Sequence, residues 1–427
     1  MTFYERISYL YAFCLVSVFF LFLPLGGYER MMEGKYTCFL LLSLTYIFAM
    51  TAAGAWKELR RPGGEEIAAL AFFALTAVSA ALSPYGAAVL LGGTRRDGLL
   101  TAAVYTVCFL LLSRYLRADR RLVYAVAVSA ALCSVLTLVQ LAGGNPLGLY
   151  PDGLNYYDGD VAYVGFYAGT AGNIDFTAFV LALAAAAMGA ALARGWTKRL
   201  FAPLTLTLWT LLRLRVAAAW VGLAAAAVLS LPLLFPQRKK RMCLVSALTV
   251  LLALGFLALY RGGNRTLLEL SALLHGEWED GFGSGRLGIW RSLLPLAAER
   301  PLLGGGCGTL YLRPVEPFYW YRGGETIHVA VTSAHNLYLG VLVDRGIPAL
   351  AAFLALSALA LRRAARGAGT DCGAICGAVL LCFLAQAFFS VSTCITDAYL
   401  WLLLALLARR SDGAPAQTEN RRSQNVG

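Results

Sequence analysis

Apolar residues along this chain neither alternate with a period of two nor keep to one face of a 3.6-residue period. They fill near-continuous runs of 11 to 21 residues separated by short polar breaks. Twelve such runs are legible, at 7–25, 36–55, 67–83, 99–116, 122–142, 174–193, 200–212, 216–235, 242–260, 346–361, 372–391 and 398–408. A hydrocarbon core of about 30 Å is crossed by roughly 20 helical residues. Backbone polar groups in lipid must be satisfied within the segment, which a helix does. The pattern predicts an all-α fold, a polytopic transmembrane helical bundle of about 12 spans, in which the seventh and twelfth runs are short. No small-residue cleavage site precedes the turn after the first run, so it is expected to stay as a span rather than leave as a signal peptide. No repeat of fixed period is visible, which argues against an inverted-repeat transporter.

Two stretches between runs are too long to be connectors. One is 143–173, which contains no Lys or Arg; the other is 262–336. The expected organisation is spans 1–9 over 1–260, an extracytoplasmic loop subdomain over 261–336, spans 10–12 over 337–408, and a disordered tail over 409–427.

Composition sharpens the class. Hydrophobic residues make up 59% of the 427 and charged residues 14%, against roughly 25% charge in a soluble domain, which excludes an ordinary soluble globular protein. The net charge of +12 reads first as topology and not as nucleic-acid binding. With the amino terminus in the cytoplasm, 22 of the 36 Lys and Arg fall in cytoplasmic segments, the densest at Arg114–Arg121 and Arg238–Arg241. Both termini are then cytoplasmic, 262–336 is outside, and short outward loops hold only Arg30, Lys35, Arg95, Arg96, Arg213 and Arg215. The chain is expected in the inner or plasma membrane. Cys14, Cys38, Cys108, Cys133, Cys243, Cys376 and Cys382 all lie inside apolar runs and no CxxC pair occurs, so the cysteines read as small core residues.

Candidate chemistry concentrates in the long outward stretch. An amphipathic helix is predicted over 267–274. A second opens at Gly285-Arg286-Leu287-Gly288-Ile289-Trp290-Arg291, with Ser284 placed to cap it and Pro301 to end it. Arg286 and Trp290 are four apart and share a face. The turn Pro301-Leu302-Leu303-Gly304-Gly305-Gly306-Cys307-Gly308 lacks the Lys-Ser/Thr of a phosphate-binding loop, which argues against a nucleotide. Pro317-Phe318-Tyr319-Trp320-Tyr321 suits either stacking on sugar rings or an interfacial belt.

His275, His328 and His335 show no metal-ligand spacing, and no metal or cofactor is expected. His335 stands where the outward stretch meets the tenth span, a place that suits a general base with a pKa near neutrality and equally a packing residue. Arg213 and Arg215 interrupt an apolar stretch. They suit an anionic ligand at the outer leaflet, or simply a turn from which both reach the interface. Charge over 262–336 nearly cancels, so an anion site there must use particular arginines.

These residues together resemble the O-antigen ligase and polymerase superfamily of polytopic glycosyltransferases. The resemblance rests on Arg286…Trp290, Pro301-Leu302-Leu303-Gly304-Gly305-Gly306, Ala334-His335-Asn336-Leu337-Tyr338-Leu339 and Gly346-Ile347-Pro348. It extends to Arg95-Arg96-Asp97-Gly98-Leu99-Leu100, to Gly172-Asn173, and to Arg215 where the family has Ser-Arg; the serine is absent here. It covers roughly 95–391. The resemblance implies metal-independent transfer of a glycan from an undecaprenyl-pyrophosphate donor to an acceptor hydroxyl on the outer face, with inversion. The acceptor is a glycan, a lipid or a protein, which leaves ligase, polymerase and protein oligosaccharyltransferase open; the bilayer is a partner and nucleic acid is not. His335 is expected as general base or acceptor-orienting group, Arg286 and Arg215 on the pyrophosphate, and Asn336, Trp290 and Arg291 in support. A glycolipid exporter would instead line its mid-membrane bundle with charge, whereas the runs here are nearly charge-free.

Overall fold

The structure is a computed structural model that describes residues 1–58, 61–151, 153–158, 164–315, 318–322, 325–329 and 331–409. Every apolar run is helical. In chain order the helices are α1 (Phe3–Cys14), continued by a π turn at Leu15–Phe19, then α2 (Met31–Ala52), α3 (Gly64–Ala81), α4 (Ala88–Leu91), α5 (Leu99–Tyr115), α6 (Arg120–Gln140) and α7 (Ile174–Ala193). They continue with α8 (Phe201–Leu214), α9 (Ala217–Leu229), α10 (Leu231–Leu234), α11 (Lys239–Leu259), α12 (Arg265–Leu274), α13 (Phe282–Glu299), α14 (Leu337–Arg366), α15 (Asp371–Gln386) and α16 (Cys394–Ala408). Among the described residues the exception to the all-α expectation is one antiparallel hairpin, β1 (Phe318–Arg322) and β2 (Glu325–Val329), pairing Phe318 with Val329. It carries the aromatic cluster apart from Pro317, which lies outside the described residues, as does the tail from 410.

Among the described residues seven helical segments are long and apolar enough to cross a membrane. The helices over 99–115, 217–229 and 394–408 are apolar but shorter. Two helices show what apolarity means here. α7 is buried nearly all round, its Ala184–Ala187 stretch letting neighbours approach closely. α11 is as apolar yet leaves Leu244, Leu248, Leu251, Leu252, Phe256 and Leu259 exposed. A surface of that extent is stable against lipid rather than water.

Charged residues sort to the helix ends. At one end Glu5 pairs with Arg117 and Arg409, Glu66 with Arg114 at 3.3 Å, Glu65 with Arg363 at 2.7 Å and Asp371 with Arg194 at 3.1 Å. These pairs gather the ends of α1, α3, α5, α7, α14, α15 and α16 that the charge pattern assigns to one side. Lys35 departs from expectation: it is buried within α2 rather than in an outward loop. The first helix ends at Leu21, which leaves the carbonyls of Phe19 and Phe20 without intrahelical partners, and Lys35 Nζ donates to them at 2.6 and 3.1 Å.

α14 begins nine residues before the apolar run and is kinked at Gly346 (φ 83°, ψ 176°), just ahead of Pro348. The glycine turn over 301–308 docks into this kink. Gly305 N donates to Val343 O at 3.1 Å, Gly306 N to Asp344 O at 2.9 Å, and Ile347 N to Pro301 O at 2.7 Å. A Cβ on Gly346 would stand 2.3 Å from the Leu302 carbonyl oxygen, and one on Gly304 2.4 Å from Asp344 C, so glycine is required at both by backbone approach and positive φ. The turn is thus a clamp on α14. Buried Asp344 completes it, accepting from Gly308 N at 3.0 Å and pairing with buried Arg313 at 2.8 Å.

Candidate functional site

His335 is the residue around which the opposite end is organised. Its backbone is left-handed (φ 45°), a conformation that costs a non-glycine residue energy and persists where the surroundings enforce it. Two neighbours enforce it. Trp290 Nε1 donates to Ala334 O at 3.0 Å, and Asn336 Oδ1 accepts from Leu339 N at 3.1 Å as the N-cap of α14. The Asn336 side chain is therefore engaged with the helix and not with the imidazole.

Arg286 opens the regular part of α13 after three left-handed residues, Gly283, Ser284 and Gly285. Ser284 (φ 59°) sits inside this kink rather than at an extended N-cap, so the expected serine cap is not formed. The tight reversal aims Arg286 at the bundle. Its Nη2 lies 3.7 Å from Asp175 Oδ2 in the first turn of α7, its Nη1 donates to Gly283 O at 2.9 Å, and its buried Nε has no partner. Arg291 points elsewhere, at 3.7 Å from Asp280, with both side chains exposed.

Arg215 lies in the turn between α8 and α9, left-handed at φ 58° and exposed. Its backbone N–H donates to Leu211 O at 3.2 Å; among the described residues its side chain has no hydrogen-bond or ion-pair partner, and it does not line the clefts around His335. Arg213 is exposed one residue before the end of α8.

Two cavities meet at His335. The first, of about 520 Å³, is lined by Arg95, Arg96, Asp97, Ser333, Asn336 and Arg345 among others. The second, of about 280 Å³, mixes Met31, Met32, Phe176 and Phe389 with Glu29, Asp175 and Tyr167. Thr94, Arg95, His335 and Val391 line both.

The sequence reading gave no role to Arg95, Asp97 or Arg345, although Arg95-Arg96-Asp97 belonged to the resemblance. The available signal was charge beside apolar runs, including Asp344-Arg345 at the entry to the tenth. Arg345 Nη2 donates to Asp97 O at 3.1 Å, across 248 positions, and Arg95 Nη1 to Thr332 O at 3.5 Å. The α4–α5 loop is fastened to the glycine turn by Gly93 N donating to Gly308 O at 3.1 Å. Burial pushes the Asp97 carboxyl above its usual range, while Arg345 and Arg95 draw it back.

His335 differs most from expectation in its basicity. Burial, then the positive charges of Arg286 and Arg95, push its pKa down from 6.5 to about 4. The pKa near neutrality expected from position alone is corrected by these surroundings. The imidazole is neutral at neutral pH and able to accept a proton, though weakly basic until some of that positive charge is offset.

The three histidines fall on separate elements: His275 at the end of α12, His328 in β2 and His335 before α14. Among the described residues no three His, Cys, Asp or Glu side chains gather into a metal-sized group.

Such a fold and cleft define a polytopic membrane protein whose polar chemistry is concentrated at one end of its helices. A family model described as O-antigen ligase matches residues 202–354, spanning Arg215, Arg286, Trp290 and His335. The match supports the resemblance to the O-antigen ligase and polymerase superfamily, and with it a membrane glycosyltransferase-like function. No curated protein matches the chain.

Proposed function

We propose that this protein transfers a glycan from an undecaprenyl-pyrophosphate donor to an acceptor hydroxyl at the outer face of the inner or plasma membrane, with both termini in the cytoplasm. The observation that carries the reading is His335 at the seam of two cavities, one reaching Asp175, the ion-pair partner of Arg286, the other lined by Arg95, Arg96 and Arg345. The cavity beside Arg286 and Asp175, which also carries Met31, Met32, Phe176 and Phe389, suits the lipid-linked donor, and the one lined by Arg95, Arg96 and Arg345 suits the acceptor. The acceptor oxygen attacks the anomeric carbon from the face opposite the pyrophosphate, and the configuration inverts. The bond from that carbon to the phosphate oxygen breaks with its electrons, the lipid pyrophosphate departs, and the hydroxyl proton passes to the neutral imidazole of His335.

Arg286 stabilises the departing pyrophosphate, taking over with charge-assisted bonds the part a divalent ion plays elsewhere. The unpartnered guanidinium of Arg215 is the second contact. A bound pyrophosphate offsets the positive field of Arg286 and Arg95, and the His335 pKa then rises towards its ordinary value. The donor thereby primes the base.

The test is turnover and donor affinity of purified, monodisperse variants with a lipid-pyrophosphate glycan donor in excess EDTA. His335→Gln is expected to bind donor as the wild type does and not to turn over. Arg286→Ala is expected to lose donor affinity and rate by about 1.5–3 kcal/mol, with only partial rescue by Arg286→Lys because a point charge lacks the planar fork. Wild-type turnover from well-folded His335→Gln ends the general-base assignment. Loss of activity on chelation, restored by one divalent ion, ends the metal-independent one.

A further inference from the structure

The 520 Å³ cavity is charged in a way that a neutral acceptor does not explain. Arg95, Arg96 and Arg345 face it together with Asp97 and Asp344, and Asp344 already has Arg313 as a buried partner. Three arginines therefore face one remaining carboxylate. Two further groups lack partners. Arg345 is 7% exposed and its Nε has no acceptor; Ser333 is 8% exposed and its Oγ has none. Buried donors left without an acceptor each cost about 1–3 kcal/mol, so their persistence here favours a ligand that supplies oxygens.

These donors come from three segments. Arg95 and Arg96 stand on the α4–α5 loop, Ser333 on the strand-to-helix connection and Arg345 on α14, with the glycine clamp holding loop and helix in register. Arg96 is itself left-handed (φ 54°), and its carbonyl is held by Thr101 Oγ1 at 2.6 Å. The cavity is thus built before any ligand arrives.

We infer that this cavity recognises an acidic acceptor, a glycan carrying a phosphate or carboxylate group that seats between Arg95 and Arg345 while its neighbouring hydroxyl meets His335. The inference deepens the transferase reading and rests on it. It assigns Arg95 and Arg345 to acceptor binding and leaves Arg286 and Arg215 with the donor. A neutral sugar in the same place would leave the excess positive charge without a counter-anion, which is how a site built for charge rejects its uncharged analogue.

The experiment measures binding to the purified, detergent-solubilised full chain by saturation-transfer NMR, with N-acetylglucosamine 6-phosphate, glucuronate and N-acetylglucosamine as probes and geranyl pyrophosphate as a short donor mimic. Saturable binding of at least one anionic sugar, at least tenfold tighter than the neutral one, is expected. Arg95→Gln, half-buried and without a structural ion pair, should weaken it at least tenfold, and Arg95→Lys should restore part. Arg286→Gln should leave it within threefold, and geranyl pyrophosphate should not displace the sugar. The phosphate and carboxylate arms tell which acid the cavity prefers.

Equal binding of neutral and anionic sugars, or no binding by monodisperse wild type, overturns the inference. Competitive displacement by geranyl pyrophosphate also overturns it, because the cavity is then part of the donor's own site. Failure of the donor reading registers separately, as geranyl pyrophosphate binding that Arg286→Gln does not weaken.

Discussion

The indole Nε1 of Trp290 donates to the carbonyl oxygen of Ala334 at 3.0 Å, one residue before the left-handed His335. Its ring lies 6.5 Å from that of Phe389, which lines the second cavity. α13 therefore holds the histidine through its backbone and leaves the imidazole free.

Trp290→Phe keeps most of the ring packing and removes the hydrogen bond, worth about 0.5–1.5 kcal/mol. The expected result is a fall in kcat of roughly 2- to 13-fold, with the donor KM nearly unchanged and the unfolding midpoint little moved. A parallel loss in donor affinity would show that the contact orders more than His335.

The pH dependence follows from the depressed His335 pKa. Neutral imidazole is the active form, so activity falls as pH drops through the folded pKa. The acid limb of kcat/KM, which reports the free enzyme, is expected near 4. The limb of kcat, which reports the donor complex, is expected at higher pH because pyrophosphate offsets the arginines. Arg286→Gln removes one of the depressing charges and should move the kcat/KM limb upward. A limb that stays put in this variant would dissociate Arg286 from the imidazole. For stability the sign is the same: with the folded pKa below the unfolded 6.5, this group's contribution is complete above about 6.5 and lost as pH falls towards 4.

Asp344→Asn leaves the Arg313 guanidinium buried without its counter-charge. Removing one partner of a buried pair costs about 3–5 kcal/mol, read as a lowered denaturant midpoint in detergent. Cys307 reports the same event. It is fully buried in the glycine turn with its thiol pushed up to about 11, so maleimide should spare it in the wild type and modify it in Asp344→Asn. The double change Arg313→Met with Asp344→Leu should recover part of the stability.

Orientation is tested with single cysteines on a background cleared of the ten native ones. Lys239→Cys is expected to label only after permeabilisation, and Glu277→Cys, between α12 and α13, in intact cells. Labelling of position 239 from outside would invert the topology.

What the sequence determined by itself was the class and its skeleton: twelve apolar runs, all of them helical, and the sorting of charge to their ends. Lipid imposes those features residue by residue, so they are written locally. The contact between Trp290 and the His335 segment was foreshadowed by the Arg286…Trp290 spacing, because a helical face is local too. Tertiary structure alone decided the rest. It joined Arg345 to Asp97 across 248 positions, buried Lys35 against carbonyls left free at the end of the first helix, and turned Asn336 into a helix cap. It left Arg215 outside the clefts around His335. It also set the basicity of His335, for a proton's affinity depends on the charges and burial around it in space, and Arg286 and Arg95 approach it from segments whose distance along the chain gives no hint of their distance in the fold.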